Sequence, residues 1–345
     1  MTDFANRYVS IERESSYGTS ASVSTLYGEV DDESIQHRFD IIERGDMNYW
    51  AMQKSANGKE YSEGDLNFAL QADDFCGMLL YGAMGKDVAT SQAHAMTETT
   101  ANSLPSFTIK VGRESKEHTY TGMMVNRMSL TANVGEYVSA SFSFVGKAES
   151  ALGSLSTPDW GAGANKSGSS AVDGFHFADC AVKFNDDTDA STFVKSFTLE
   201  LNNNLDTDNA CAIGSSTYTR APIMQRREIT GTLEFNQPIL DGSTPSGQNG
   251  EPDYAELTAI AGLEVNGVTT YAIQFLLSDG TNTCTINLVD VRYEAPSANV
   301  SGRDVETMSV NYRGYIDPTA ATKEAMNIAF NTSNAGNSGD NYSAL

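Results

Sequence analysis

Apolar and polar residues alternate strictly along much of the chain. The alternation is clearest over residues 65–70, 138–144 and 232–236, as in Val-Ser-Ala-Ser-Phe-Ser-Phe from Val138 to Phe144. A period of two places the apolar side chains on one face of a strand and the polar side chains on the other. Antiparallel sheets with one solvated face have this pattern. The sequence therefore predicts an all-β fold with few short helices.

Helical patterns are confined to three short segments. Residues 73–81 begin with two aspartates suited to capping a helix, and residues 252–262 begin with Pro-Asp and end with glycine. We expect a third helix from Ala320 to Ala329. The final residues, 331–345, are rich in Asn, Ser and Gly, which predicts a flexible tail.

A segment rich in glycine and serine, residues 154–170, divides the chain almost in half. Its composition is typical of a linker. We therefore expect a first β-sandwich domain with an N-terminal arm over residues 1–153. A second domain would cover residues 171–318, followed by a short helix and tail over residues 319–345.

The two halves resemble each other at a nearly constant offset. Leu66 and Phe68 correspond to Leu233 and Phe235, 167 positions later, and Phe142 corresponds to Val310, 168 positions later. Small changes in offset are what loop insertions leave behind. We interpret the match as a tandem duplication, with chance similarity between β segments as the alternative.

The chain is strongly acidic, with 45 acidic and 22 basic residues and a formal net charge of −23. Such a charge disfavours any binding of nucleic acid that depends on neutralising phosphates. It suits a surface past which DNA slides without sticking. Adaptation to a salt-rich host is a second explanation, and composition does not separate the two.

The hydropathy of the chain and the spacing of its cysteines are consistent with an intracellular protein without disulfides. No apolar stretch reaches about 18 residues, so no membrane insertion is expected, and the N-terminus lacks an apolar signal core. Four cysteines lie far apart without a C-x-x-C pair: Cys76, Cys180, Cys211 and Cys284. We expect them to be small buried apolar residues rather than disulfide or zinc partners.

Motifs for catalysis are missing from the sequence. The stretch 161–167 has asparagine where a phosphate loop needs its last glycine, and no G-x-S-x-G is present. The histidines at 37, 94, 118 and 176 lack the spacing of a metal site, and residues 185–189 fit a solvated turn better than a cation loop. We therefore expect no catalytic, cofactor-binding or metal-binding residues, and a protein that is not an enzyme.

The N-terminal stretch from Arg7 to Thr19 reads Arg-Tyr-Val-Ser-Ile-Glu-Arg-Glu-Ser-Ser-Tyr-Gly-Thr. It resembles the opening of tail tube proteins of long-tailed, siphovirus-like viruses of bacteria and archaea, where Glu-Ser-x-Tyr-Gly-Thr follows a short strand. The stretch from Glu136 to Lys147 is similar to a late strand of those proteins. The resemblance implies two tandem tail-tube domains of the β-sandwich or β-barrel type.

The resemblance also implies a function. Such proteins are major tail tube subunits whose rings stack into a hollow tube that delivers viral DNA. Two domains per chain imply three subunits per ring with pseudo-sixfold symmetry, although a second domain that projects outward as decoration is the alternative. The implied partners are further copies of the chain and other tail proteins, namely the tape measure, the terminator and the tail tip or baseplate. DNA would pass without specific binding, and the protein would assemble in the host cytoplasm and reside in the virion tail.

Two sets of residues are candidates for this function. Polar residues of the alternating strands would face the lumen, although an outer solvated face is the alternative: Asp65, Asn67, Ser139, Ser141, Ser143, Thr232, Glu234, Asn236, Ser309 and Asn311. Apolar residues in the long loops 45–61 and 202–225 would contact another subunit or ring, although packing within their own domain is the alternative: Met47, Tyr49, Trp50, Met52, Ile213, Tyr218, Ile223 and Met224.

Two other functions fit the same fold. A pair of β-sandwiches that binds carbohydrate or a receptor would be monomeric and would expose an aromatic platform, yet the two tryptophans, Trp50 and Trp160, stand singly in loop contexts. A secretion-system tube, or another ring protein of the tail such as a terminator, would keep the fold and change the length of the polymer.

Overall fold

A computed structural model describes most of the chain. The described residues are 7–20, 25–90, 92–99, 101, 103–150, 152–158, 173–185, 190–191, 193–236, 264–265, 272–299, 307–316, 323–332 and 342. β-strands dominate them, as the alternation predicts, and they contain one α-helix. Within these residues no helix is both long enough and apolar enough to span a membrane.

The described part of the first half contains the α-helix and eleven strands. They are β1 (Tyr8–Arg13), β2 (Leu26–Gly28), β3 (Asp32–Glu33), β4 (Gln36–Arg44), β5 (Lys54–Ala69), α1 (Asp74–Met84), β6 (Gly85–Thr90), β7 (Ala93–Glu98), β8 (Phe107–Arg113), β9 (Lys116–Asn133), β10 (Ser139–Gly146) and β11 (Ala148–Glu149).

The described part of the second half adds twelve strands. They are β12 (Cys180–Phe184), β13 (Val194–Asn202), β14 (Leu205–Asp206), β15 (Ile223–Met224), β16 (Glu228–Asn236), β17 (Glu264–Val265), β18 (Ile273–Ser278), β19 (Thr283–Leu288), β20 (Asp290–Tyr293), β21 (Ser297–Asn299), β22 (Thr307–Tyr315) and β23 (Met326–Asn331). Short 3-10 turns cover Phe177–Asp179 and Asp208–Ala210.

The larger sheet runs through both halves of the chain. Its central path is β3–β5–β10–β9–β13–β16–β22–β20–β17, with β4 beside β5 and β21 beside β22. Leu66 of β5 lies opposite Phe142 of β10, and Leu233 of β16 lies opposite Val310 of β22. These four residues correspond to each other between the halves at the offsets seen in the sequence. All four face the core, because alternation fixes which residues of a strand do so.

A second sheet also combines strands from both halves, in the order β12–β18–β19–β23–β7–β6. Strand β23, near the C-terminus, pairs with β7 of the first half from Asn327 opposite Thr97 to Asn331 opposite Ala93. Within the described ranges, pairing between the named strands therefore joins the halves at two places, β9 with β13 and β7 with β23.

Helix α1 confirms the first predicted helix and extends it to Met84. The Asp73 side chain accepts a hydrogen bond from the Cys76 amide at 2.8 Å, and Gly85 ends the helix with a left-handed φ of 90°. Every residue of the helix is buried. A helix that is apolar all round belongs in a core.

Most of the buried apolar residues of both halves form one contiguous cluster. Phe68 stacks on Phe142 in the first half with ring centroids 5.7 Å apart, and Phe197 stacks on Phe275 in the second half at 4.3 Å. Leu130 of β9 and Leu199 of β13 lie opposite each other in this cluster. Folding of the described residues therefore depends on contacts between the halves as well as within them.

The prediction of a third helix over residues 320–329 is wrong where the structure describes it. Residues Met326–Asn331 form strand β23, in which Met326, Ile328 and Phe330 are buried. Their period of two, and an available edge on β19, override the helix propensity of Ala, Met and Glu. The second predicted helix, 252–262, and linker residues 159–170 lie outside the described residues.

The described residues of the predicted flexible tail are paired or packed against the rest of the protein. Asn331 is paired in β23, and Thr332 and Tyr342 are fully buried. Thr332 donates a hydrogen bond from its hydroxyl to the Ala72 carbonyl at 2.7 Å. Polar composition alone therefore does not predict whether this segment is anchored.

Candidate assembly surfaces

The predicted lumen residues all lie on the polar side of the larger sheet. Each is partly or fully exposed, and the residues between them along each strand are buried. Neighbouring strands place them side by side, for example Asn67 opposite Ser141 and Thr232 opposite Asn311. We call this surface, on strands β5, β10, β9, β13, β16 and β22, the polar face.

The polar face includes strands that the sequence reasoning did not use. Ser129 and Thr131 of β9, and Thr198 and Glu200 of β13, continue the same rows of polar side chains. The sequence does show the alternation for Ser129 and Thr131, because these residues alternate with the apolar residues Met128, Leu130 and Ala132, which are buried in the structure. The two strands occupy the centre of the face, where the halves meet.

Two arginines on the polar face are paired with glutamates. Arg127 contacts Glu200 across the β9–β13 pairing with nitrogen and oxygen 2.5 Å apart, and Arg313 lies 3.4 Å from Glu294. Both pairs are partly exposed, so each contributes on the order of 1 kcal/mol or less. Their larger effect is to neutralise two of the positive charges on the face.

The predicted loop 45–61 is the tip and one strand of a long hairpin formed by β4 and β5. The two strands pair from Gln36 opposite Glu63 to Arg44 opposite Lys54, and residues 38–57 are exposed on both faces. The hairpin therefore projects from the body of the protein. Met47 and Trp50 at its tip are fully exposed, and Tyr49 and Met52 are about two thirds exposed.

The second predicted loop, residues 202–225, packs against the base of this hairpin. The Glu60 amide donates a hydrogen bond to the Ser216 carbonyl at 2.8 Å, and the rings of Tyr61 and Tyr218 stack with centroids 6.3 Å apart. Lys59 and Asp208 form an exposed ion pair at 3.2 Å. The two predicted loops thus form one projection. The sequence did not indicate this, because the loops are far apart along the chain.

Two of the predicted contact residues are used within the chain itself. Tyr218 is buried beneath the hairpin, and burial raises its pKa to about 12. Met224 is partly buried beside Leu205 and Met124. Ile213 and Ile223 remain exposed, so the exposed apolar surface is smaller than predicted and is concentrated at the hairpin.

An exposed apolar patch lies at the opposite end of the same strands. Val134 and Tyr137 belong to the turn between β9 and β10, and Phe177 lies beside them. The hairpin leaves the sheet at the other end of β10, where Ser62 lies opposite Gly146. The sequence reasoning missed this patch because its residues are separated by the predicted linker.

The N-terminal motif forms a buried hydrogen-bond site around Glu14. The carboxylate accepts hydrogen bonds from the Gly18 and Gly122 amides, both at 2.8 Å, and from the hydroxyls of Ser106 at 2.7 Å and Thr108 at 3.0 Å. These four donors come from three separate segments of the chain. Glu14 therefore fixes the loop after β1 to strands β8 and β9, which is a structural role.

The cysteine side chains form no disulfide and belong to no metal site among the described residues. The four cysteines are unpaired, and Cys76 and Cys284 are buried, where burial raises the pKa of each thiol. Among the described residues, no group of three or more His, Cys, Asp or Glu side chains is arranged to hold a metal ion.

Comparison with known proteins identifies one family. The family model described as phage tail tube protein matches residues 5–236, which is more than half of the chain. The match begins in the N-terminal arm and extends through strand β16 of the second half. No curated protein matches the chain.

Proposed function

Because this chain belongs to the phage tail tube protein family, we propose that three copies close into a ring and that the rings stack into a tube through which viral DNA passes. The observation that carries the proposal is the pairing of β9 with β13, seven residues long, which joins the polar sides of the two halves in one sheet. A contact of this kind, repeated between chains, closes a sheet into a barrel and removes its exposed edges.

Strand order supports a duplicated domain as the basis of the ring. In the first half the neighbours run β4–β5–β10–β9, and in the second half they run β13–β16–β22, followed by β20 and β21. The three-stranded set β1–β8–β9 has a counterpart in β12–β18–β19. Three chains would then supply six equivalent domains.

The internal pairing also predicts how two copies meet. Strand β13 corresponds to β3 and β4, and the part of β9 that pairs with β10 corresponds to β20 and β21. Among the described residues, β4 pairs with β5 alone and β21 with β22 alone, so each has an edge available. The contact between copies would join these two edges in an antiparallel pair.

The register of that contact follows from the equivalent positions. In the internal pairing Glu200 lies opposite Ser129. Glu200 pairs with Thr230, whose counterpart Glu63 pairs with Gln36. Ser129 pairs with Ser141, whose counterpart Ser309 pairs with Ser297. Gln36 of one copy would therefore lie opposite Ser297 of the next.

In this arrangement the polar face lines the lumen. Its side chains are mainly Ser, Thr, Asn, Asp and Glu, and two arginines on it lie beside glutamates. Such a wall offers DNA phosphates little to pair with, so DNA would pass without being held. The role proposed is structural rather than catalytic, in the tail of the virion, with other tail proteins at the ends of the tube.

Stacking would use the two apolar surfaces at opposite ends of the sheet. The hairpin tip with Met47 and Trp50 projects at one end, and Val134, Tyr137 and Phe177 are exposed at the other. A contact between two different surfaces of the same protein propagates head to tail and builds open polymers. Each ring would thus receive the hairpins of the next.

Electron microscopy and light scattering across a salt series test the ring. We expect particles of three chains, or stacked hollow tubes. A protein that stays monomeric at every salt and protein concentration, with and without tail-tip proteins to nucleate assembly, would contradict the proposal.

Cross-linking tests the register. In a chain with the two partly exposed cysteines, Cys180 and Cys211, changed to serine, Gln36→Cys with Ser297→Cys should form disulfide-linked oligomers. Gln36→Cys with Asn299→Cys is the matched control, because it moves the thiol two residues along strand β21, roughly 7 Å away, beyond the reach of a disulfide. Equal cross-linking of both variants would exclude the proposed register.

A further inference from the structure

A pocket between α1 and the hairpin of β6 and β7 holds a residue from the C-terminal tail. The Tyr342 side chain is fully buried there. Its ring stacks on His94 with centroids 4.2 Å apart and an interplanar angle of 19°. These contacts of Tyr342 are not part of the strand pairing in either sheet, and they do not belong to the polar face or to the exposed apolar surfaces.

The polar atoms of Tyr342 have defined partners in the pocket. Its amide donates to Asp87 Oδ2 at 2.9 Å, and the same oxygen lies 3.0 Å from His94 Nδ1. Its hydroxyl lies 3.5 Å from Asp74 Oδ1. Burial raises the pKa of the phenol well above its ordinary value, so the hydroxyl keeps its proton and donates it.

Gly77 forms the floor of the pocket, because it has no side chain to fill the space. A Cβ atom added at Gly77 would overlap the Tyr342 hydroxyl and ring. Glycine in a helix interior costs about 1 kcal/mol relative to alanine. The space that it leaves fits a phenol.

The tail has a separate anchor close by. Thr332 is bonded to the Ala72 carbonyl, only two residues before Asp74. Nine residues lie between Thr332 and Tyr342, and the ten residue steps from one to the other can span roughly 33 Å. Tyr342 is therefore held by the pocket itself and not by a short tether.

We propose that α1 and the β6–β7 hairpin form a binding site for a tyrosine-containing peptide, and that the C-terminal Tyr342 occupies it as a tethered ligand that can leave. The ligand class is a tyrosine residue whose phenolic side chain enters the pocket and whose own backbone amide donates to Asp87. The recognising groups are Asp74, Asp87, His94 and the space above Gly77.

A peptide in trans tests the site on the full chain. The probe is a labelled hexapeptide with the sequence of residues 340–345, Asp-Asn-Tyr-Ser-Ala-Leu. We expect it to bind the Tyr342→Ala chain at least tenfold more tightly than the wild-type chain, whose pocket is already filled. A peptide with alanine in place of tyrosine should bind at least tenfold more weakly to the same variant.

The double variant Gly77→Ala, Tyr342→Ala is the matched control, because its added methyl group closes the pocket. It should lose the binding. Equal binding to all three chains, no binding to any, or binding that does not depend on the tyrosine would overturn the proposal.

Hydrogen exchange keeps the proposal testable if Tyr342→Ala fails to fold. In the wild-type chain the Tyr342 amide should exchange at least tenfold faster than the Gly77 amide, which is bonded to the Asp73 carbonyl in the helix. Equal rates would mean that the tail leaves only when the whole protein unfolds, and the proposed release would be wrong.

Discussion

A buried carboxylate is costly unless hydrogen bonds replace the water that it loses. Glu14 has four such bonds, from two amides and two hydroxyls. The family resemblance in the sequence pointed to this residue, but its partners at 106, 108 and 122 are too distant in sequence to be predicted. The structure adds the reason why the motif contains an acid followed, four residues later, by glycine: Gly18 donates its amide from a left-handed φ of 68°.

Glu14→Gln tests this site. The substitution replaces one acceptor by an amide donor, which then faces a group that also donates. We expect the free energy of unfolding to fall by about 2–3 kcal/mol, measured by urea denaturation. Glu43→Gln, an exposed acid on β4, should change it by less than about 0.5 kcal/mol. Equal effects of the two substitutions would contradict the role of Glu14.

Asp74 gives the fold a dependence on pH. Burial, and then the neighbouring charge of Asp73, raise its pKa from 3.8 to about 6. Between these values the folded chain binds the proton more tightly than the unfolded chain. The stability that Asp74 contributes to the fold is therefore fully present below about pH 4 and is lost as the pH rises through 6.

Asp74→Asn should remove that loss. At pH 7.5 we expect the variant to be more stable than the wild type by on the order of 2 kcal/mol, with little difference at pH 4. Urea denaturation at both pH values measures this. A wild-type chain whose advantage over the variant grows as the pH rises would show that the sign is wrong.

At the scale of elements, the sequence predicts strands better than it predicts their neighbours. Alternation identified β5, β10 and β16 and their buried faces, and the capping aspartates identified α1. It failed for β23, where Ala, Met and Glu suggested a helix although Met326, Ile328 and Phe330 alternate. Local propensity is a weak signal when an open strand edge is available, and that edge belongs to the distant strand β19.

The projecting hairpin of β4 and β5 allows assembly to be separated from folding. The triple variant Met47→Ser, Tyr49→Ser, Trp50→Ser alters side chains that are largely exposed in the single chain. We expect the free energy of unfolding to change by less than about 1 kcal/mol, while sedimentation velocity shows fewer stacked particles. Val88→Ser, at a half-exposed apolar residue away from the hairpin, should leave stacking unchanged. Stacking that survives the triple variant would exclude the hairpin as the contact.

At the scale of the whole molecule, the sequence predicted two similar halves but not how they join. Their matching residues were visible as offsets of 167 and 168. The pairing of β9 with β13 was not, because nothing in either strand's alternation states which strand lies beside it. The candidate polar residues were likewise found one strand at a time, and the pairing showed that they form one surface.

A shared core should make the two halves unfold together. Leu199 of β13 is fully buried in it, so Leu199→Ala should lower the free energy of unfolding by about 2–4 kcal/mol. Calorimetry should show one transition in both proteins, shifted to lower temperature in the variant. Leu152→Ala, at an exposed position, should not shift it. Two separate transitions would contradict a common core.

Because β9 and β13 belong to one chain, their pairing responds to dilution differently from the contacts between copies. Contacts between copies weaken as the protein is diluted. The contact between the halves does not, because its effective concentration is set by the covalent connection. A very dilute solution therefore still contains one intact example of the strand pairing that the proposed ring repeats between copies, and its geometry can be measured there without any partner.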